Sequence, residues 1–429
     1  MPDIRPFHGV RYDMAQVGAL SDVVAPPYDV IDPALQDRLY QASPYNIIRL
    51  ELNRPETGDD EASNRYTRAS RFLRDWLRQG VLREDAAPAF YLYHQTFDVE
   101  GRTYTRRGFL ARVRLEPFGR GKIYPHEETL SGPKADRLAL FQATRYNLSP
   151  IFGLYPDPEA RVLRAVEDGL RDRTPLEATD HLGVLNRLWP ISDPETHTLV
   201  QGLMGAKPIF IADGHHRYET GLRFREECGT PVDSDDPANF CMMMLVGMSD
   251  PGLIILPTHR LVDGFPALTA DALAERLAPE FEVNIMGTGD AAARSAWEEI
   301  EAEGTQELLG FGTVADGRWL TARLRSDERM DALATDHSPA WRALGVSILH
   351  VLVLASLLKP FGDPGCRYVH LMGEVLAEVA ALRCDLACLV PPAGMSEVEE
   401  IASNLEKMPP KSTYFYPKLL SGLVLNPLL

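Results

Sequence analysis

Three basic side chains, His215, His216 and Arg217, stand where a short apolar run gives way to a helical pattern. Positions 209–212 read Ile-Phe-Ile-Ala, a buried strand by composition. Asp213-Gly214 ends it, because glycine accepts backbone angles that other residues avoid. Tyr218, Leu222 and Arg225 then recur at helical spacing, and Gly229 is a fitting stop. A helix start offers unpaired N–H groups and a partial positive charge. With Gly214 for close backbone approach, His215, His216 and Arg217 complete a cradle suited to phosphate. The bland alternative is a solvated turn before an ordinary helix.

A second dense stretch is 123–137, with His126, Glu127, Glu128, Lys134, Asp136 and Arg137. A carboxylate there is a candidate general base or magnesium ligand. A solvated loop would have a similar composition. A third is 409–418, where Tyr414-Phe415-Tyr416 lies between prolines. It reads as a strap over a core, or as a lid bringing Lys411, Ser412, Thr413 and Lys418 to an anion. His259-Arg260 sits at a strand end, facing either a pocket or solvent. The methionines at 242–248 are core filler.

These stretches need elements to hold them. A length of 429 residues predicts two or three domains, and 45% apolar content can fill their cores. The net charge of −17 argues against a general nucleic-acid binder. Five cysteines without zinc-like spacing read as reduced thiols. The start of the sequence lacks a signal-peptide pattern, and the apolar run 348–358 is too short to span a bilayer. The expectation is a cytoplasmic protein with no membrane partner.

In chain order, Ala25-Pro-Pro-Tyr-Asp-Val30 follows an extended path, and Asp32-Pro33 opens a helix. Alternation marks 47–52 as a strand, with Arg49 and Glu51 on one face. Residues 62–80 form an amphipathic helix. A hairpin turns at Glu100-Gly101. Residues 158–172 are a helix, 180–191 strand material, and Asp193 caps another helix. Residues 240–248 are a buried strand, and a short strand at 253–256 stops at Pro257. Residues 267–325 resemble a small α+β insertion with a turn at Asp316-Gly317. Residues 344–358 are an apolar helix, followed by strand, helix and strand up to 390. Ser396 to Glu399 reads as a capping box. The fold class expected is α+β, or mixed α/β. Its regions are 1–120 (N-terminal α+β), 121–260 (the core bearing Asp213–Arg217, with an insertion) and 261–429 (C-terminal α+β with a packed tail).

The chain resembles, over essentially its whole length, a bacterial and archaeal family catalogued as domain of unknown function 1015. The residues that carry this are Ala25-Pro-Pro-Tyr-Asp-Val30, Asn46-Ile-Ile-Arg-Leu50, Pro125-His-Glu-Glu-Thr129 with Pro133-Lys134 and Asp136-Arg137, Asn147-Leu-Ser-Pro-Ile-Phe152, Ala212-Asp-Gly-His-His-Arg-Tyr-Glu-Thr220, Pro257-Thr-His-Arg260 and 408–418. The family name implies no activity. More remotely, Asp-Gly-His-His-Arg after a Pro-led strand resembles the phosphate-binding signature of the ParB and sulfiredoxin-like superfamily. Some of its members phosphorylate free L-serine.

That resemblance implies a ParB/sulfiredoxin-like nucleotide-binding core, additional mixed sheets and a C-terminal strap, with residues 150–190 as an insertion. It implies a kinase that uses ATP or ADP with Mg2+ on a small hydroxylated metabolite, L-serine included. Gly214, His215, His216 and Arg217 would hold phosphates, and Lys134, Arg137 and Lys411 would neutralise charge. Glu127, Asp213 and His216 would be catalytic, with Glu128 or Glu51 as substitutes for Glu127. Asp213 and Glu127 would be metal ligands. Two other readings stand: a metal-dependent phosphohydrolase using Asp213, His215, His216 and His126, and a nucleotide-binding regulator without turnover. A homodimer is an open option.

Overall fold

The longest strands, Phe90–Val99 and Arg102–Arg114, pair as the expected hairpin. Glu100 and Gly101 both take positive φ at its tip, the backbone that a tight two-residue turn requires. A computed structural model describes residues 2–127, 131–170 and 174–428. They form a mixed α/β fold with several sheets. Two compact units result: Met1–Pro125, Thr129–Leu253 and Pro417–Leu429 make the first, and His126–Glu128 with Ile254–Tyr416 the second.

In the first unit the hairpin lies inside a nine-stranded sheet. Phe240–Gly247 runs antiparallel to Arg102–Arg114 and parallel to Ile151–Tyr155. Ile151–Tyr155 runs antiparallel to Ile209–Asp213, which pairs in parallel with Ile123–Tyr124. On the other flank, Leu185–Ile191 joins Phe90–Val99. One core gathers Phe90, Phe109, Ile151, Ile209, Ile211, Met243 and Leu245 from the sheet with Val162 and Val166 of helix Arg161–Asp168 and Val200 and Met204 of helix Pro194–Met204. Asp32 and Asp193 cap their helices as expected, each accepting a backbone N–H three residues on.

Residues 417–428 belong to this first unit. Their backbone bonds to Ala25, Val10, Leu148 and Arg145, and Asn426 pairs with Asn147. Leu419, Leu420, Leu423, Val424 and Leu425 are buried.

The second unit holds a six-stranded sheet. Phe281–Thr288, Leu308–Thr313 and Arg318–Leu324, expected as a small insertion, are half of it. The strand Tyr414–Tyr416 pairs with Ile254–Leu256. Past Pro257 the chain re-enters a strand, His259–Asp263, and His259 and Arg260 are buried rather than facing solvent. Arg260 donates to the carbonyls of Thr258 and Lys411 and lies 3.2 Å from the His350 ring nitrogen.

Two further expectations are corrected. The segment 47–52 is not a strand. Asn46 Oδ1 accepts the Ile48 N–H at 2.9 Å and starts a turn, and Ile48–Glu51 is helical. Ser396 does not open a capping box. The helix Met395–Ser403 starts from Gly394 without a side-chain cap, and Ser396 bonds Glu397 instead.

Backbone approach fixes Gly108 in the hairpin. A Cβ there would meet the Leu245 carbonyl oxygen at 2.3 Å and the Val246 side chain at 2.7 Å. Gly108→Ala should cost about 1–3 kcal/mol of stability by overpacking, read from urea unfolding, whereas alanine at open Gly132 should leave it unchanged.

Candidate functional site

The strand Ile209–Asp213 ends at Gly214, whose φ of 91° allows an immediate turn into helix His215–Glu227. A Cβ at Gly214 would press on the Arg217 guanidinium at 3.0 Å. Gly214, as the N-cap, has no side chain of its own to cap this helix start. His215 and Arg217 are buried, and His216 is half-buried. Elements around the helix hold it in place. Tyr218 Oη bonds both the N–H and the C=O of Glu116, its ring stacks on Phe118, and Arg225 donates to the Leu115 carbonyl. Lys134 meets Glu219 at 2.8 Å, tying the helix Ser131–Thr144 alongside.

Asp213 lies between two cations. Its Oδ2 accepts from Arg217 Nη2 at 2.6 Å, and its Oδ1 accepts from Lys418 Nζ. Burial works to raise the Asp213 pKa, but the charges of Lys418 and Arg217 outweigh it and hold the carboxyl well below the usual range. The other arm of Arg217 donates to the Pro150 carbonyl.

Lys418 is placed from the opposite side of its own backbone. Its carbonyl accepts from Gln95 Nε2 at 3.1 Å, and the Pro417 carbonyl accepts from Arg106. Arg106 is fully buried, also bonds Gln95, and lies 4.6 Å over the Phe152 ring. Burial pulls its pKa down to about 10, so it stays charged at neutral pH. Tyr93 and Gln95 both donate to Asn186, which closes this polar layer.

A third group joins them. Asn46 donates to the carbonyls of Asp22 and Val24, clamping the segment before Pro26-Pro27-Tyr28 to the turn that carries Glu51. Arg137 Nη1 donates to the Glu51 carboxylate at 3.2 Å and to its carbonyl at 3.1 Å. Arg137 also pairs with Asp136 and lies 4.1 Å from the Tyr28 ring centroid. Ser149 Oγ donates to Glu51 at 3.2 Å. Burial raises Tyr28 to about 12, against the opposing pull of Arg217 and Arg137. Ser149 and Pro150 are consecutive, so one dipeptide links Glu51 to Arg217.

Within the first unit, the structure therefore gathers Asp213, Gly214, Arg217, Arg137 and Glu51, with His215, His216 and Lys134 on the same pair of helices. Arg137 and Lys134 are committed to carboxylates. Other residues named from the sequence lie in the second unit. His126 is buried there, its Nε2 2.9 Å from Thr413 Oγ1, while Glu127 bridges to Met408. Lys411 takes a left-handed backbone with φ of 57° and its side chain is exposed. Glu128 lies outside the described residues. Arg106, Tyr28 and Ser149 were not singled out from sequence. Arg106 shares its alternation with Arg102, Arg112 and Arg114, so the strand pattern offers no signal for it.

Among the described residues, no three His, Cys, Asp or Glu side chains are grouped to hold a metal. Asp213 has a cation on each oxygen. This donor set does not fit a protein-held magnesium ion.

The chain belongs to the family described as "Protein of unknown function (DUF1015)", whose profile matches residues 4–347. No curated protein matches it. Among solved structures it is similar to a free serine kinase in complex with AMP, at 13% identity and a TM-score of 0.34, over 70% of this chain and 88% of that one. It is also similar to SbnI with a C-terminal truncation from Staphylococcus aureus, at 10% identity and a TM-score of 0.35, over 73% and 85% of the two chains. A third is a conserved hypothetical protein from Pyrococcus furiosus, at 14% and 0.32, over 69% and 90%. Likeness at this level carries no argument about activity. No helix among the described residues is long and apolar enough to cross a membrane.

Two outcomes follow from the ion pairs. Asp213 has a depressed pKa when folded, so its contribution is complete above the ordinary carboxyl pKa near 3.9 and is lost as pH falls toward its lowered value. Asp213→Asn should cost about 2 kcal/mol at pH 7, and its stability should fall less steeply than that of the wild type below pH 4. Chemical denaturation across pH checks this. Arg137→Met strands Glu51 in a buried setting and should cost about 3–5 kcal/mol by the same measurement.

Proposed function

We propose that this chain binds the phosphates of ATP or ADP at Gly214–Arg217 and transfers a phosphoryl group to a small hydroxylated metabolite, with L-serine the first acceptor to test. The observation that supports it most is that the consecutive residues Ser149 and Pro150 bond the Glu51 carboxylate and Arg217 respectively. Phosphoryl transfer needs placement and charge neutralisation more than covalent chemistry from the protein. The first unit offers both kinds of group.

The nucleotide supplies the phosphoryl group. The backbone N–H groups after Gly214, with His215, His216 and Arg217, hold phosphate oxygens. Arg217 and Lys418 place positive charge where the transferred group gathers negative charge. Glu51, oriented by Arg137 and Ser149, is the carboxylate of this cluster that accepts the hydroxyl proton of the metabolite. Glu51 takes the role that the sequence resemblance gave to Glu127.

A second reading has its own observation. Glu51 is paired with Arg137, and Asp213 with two cations, so both carboxylates are compensated. That favours a nucleotide-binding regulator without turnover. Among the described residues no grouped donor set supports the phosphohydrolase reading.

The test is incubation of the protein with ATP or ADP, magnesium and a panel of hydroxylated metabolites, with product read by mass spectrometry. Transfer should fall at least about a hundredfold in Glu51→Gln with nucleotide binding kept, the scale of a lost general base. Arg217→Ala should lose binding itself. Nucleotide binding with no phosphorylated product for any acceptor would overturn transfer and leave the regulator.

A further inference from the structure

Lys418 has no place in the local motif. It arrives from residues 417–428, yet its ammonium bonds Asp213, the residue just ahead of the helix start. Its position is set by its backbone, through Gln95 and Arg106, and not by the side-chain pair alone. Arg217 is likewise held apart from Asp213, through Pro150. Two cations that would suit a phosphate are therefore fixed by independent anchors and share one internal anion. A carboxylate and a phosphate oxygen compete for the same N–H donors.

We infer that Asp213 is a built-in counter-anion that sets the affinity of this site: an incoming phosphate displaces it from Lys418 and Arg217. This rests on the phosphate-binding reading above and specifies how that site is regulated. Asp213 is then neither a metal ligand nor a base. It keeps the two cations compensated and in place while no ligand is bound, and it weakens every anion by the strength of the pairs that must be exchanged. Monoanions, which offer less charge for that exchange, are selected against relative to the terminal phosphate of a nucleotide.

The roles predict opposite signs for one substitution. A purely supporting Asp213, needed only to hold Arg217 and Lys418 in place, loses affinity when neutralised. A competing Asp213 gives affinity back. ADP binding to the full chain, followed by calorimetry without added metal, should tighten about tenfold in Asp213→Asn, the change expected for one charged hydrogen bond no longer exchanged. Lys418→Gln should weaken it, and the Asp213→Asn, Lys418→Gln pair should return toward the wild type. Equal or weaker binding by Asp213→Asn overturns the inference while the phosphate-binding reading survives. No ADP binding by wild type or Asp213→Asn would overturn that reading itself. If Asp213→Asn does not fold, a wild-type structure with ADP decides. The Asp213–Lys418 contact should be broken and Lys418 should reach a phosphate oxygen, and an intact contact beside bound ADP rejects the displacement.

Discussion

A carboxylate between two cations is the constraint from which the first unit is organised. Buried or half-buried charge is costly unless it is paired and hydrogen-bonded. Arg217 lies four residues from Asp213 and Lys418 lies 205 residues from it, and Asp213 lets both be held near the sheet. The requirement then spreads outward. Arg217 needs the Pro150 carbonyl, and Lys418 needs its backbone fixed by Gln95 and Arg106. Arg106 in turn relies on Phe152 and the polar layer ending at Asn186. Removing one member leaves another buried and uncompensated.

The family-bearing stretches of this unit meet around Glu51, Arg137 and Arg217. The Ala25–Val30 segment brings Tyr28, the turn after Asn46 brings Glu51, the helix after Gly132 brings Asp136 and Arg137, and Ser149-Pro150 joins two of the groups. Stretches of the second unit meet one another as well. His126 meets Thr413, and Arg260 fixes the carbonyl of Lys411. These buried polar contacts account structurally for residues that composition alone would assign to loops.

What could be read ahead was what is local. The strand, Gly214 and the helix that follow one another at 209–227 are dictated by apolar run, positive φ and helical spacing within twenty residues. The hairpin at Glu100-Gly101 and the caps at Asp32 and Asp193 are similar cases. The turn at Glu51 was misread because alternation over 47–52 is a weak signal, and one Asn46 side-chain bond outweighs it. Lys418 could be named as a candidate cation, but its partner lies 205 residues away and no spacing rule reaches that far. Arg137 and Lys134 were read as cations offered to a ligand. Their committed carboxylates depend on helix packing that a sequence does not display.

The chain leaves the first unit at Leu253 and returns to it at Pro417. The second unit is thus nested in the first, and the residues that complete the Asp213 pair are synthesised after it. Gln95 and Arg106 on the sheet find their Lys418 and Pro417 carbonyl partners only in that last segment. Closing so long a loop adds little to the equilibrium cost, because that cost grows only with the logarithm of length. Its weight falls on kinetics, where contacts distant in sequence form late.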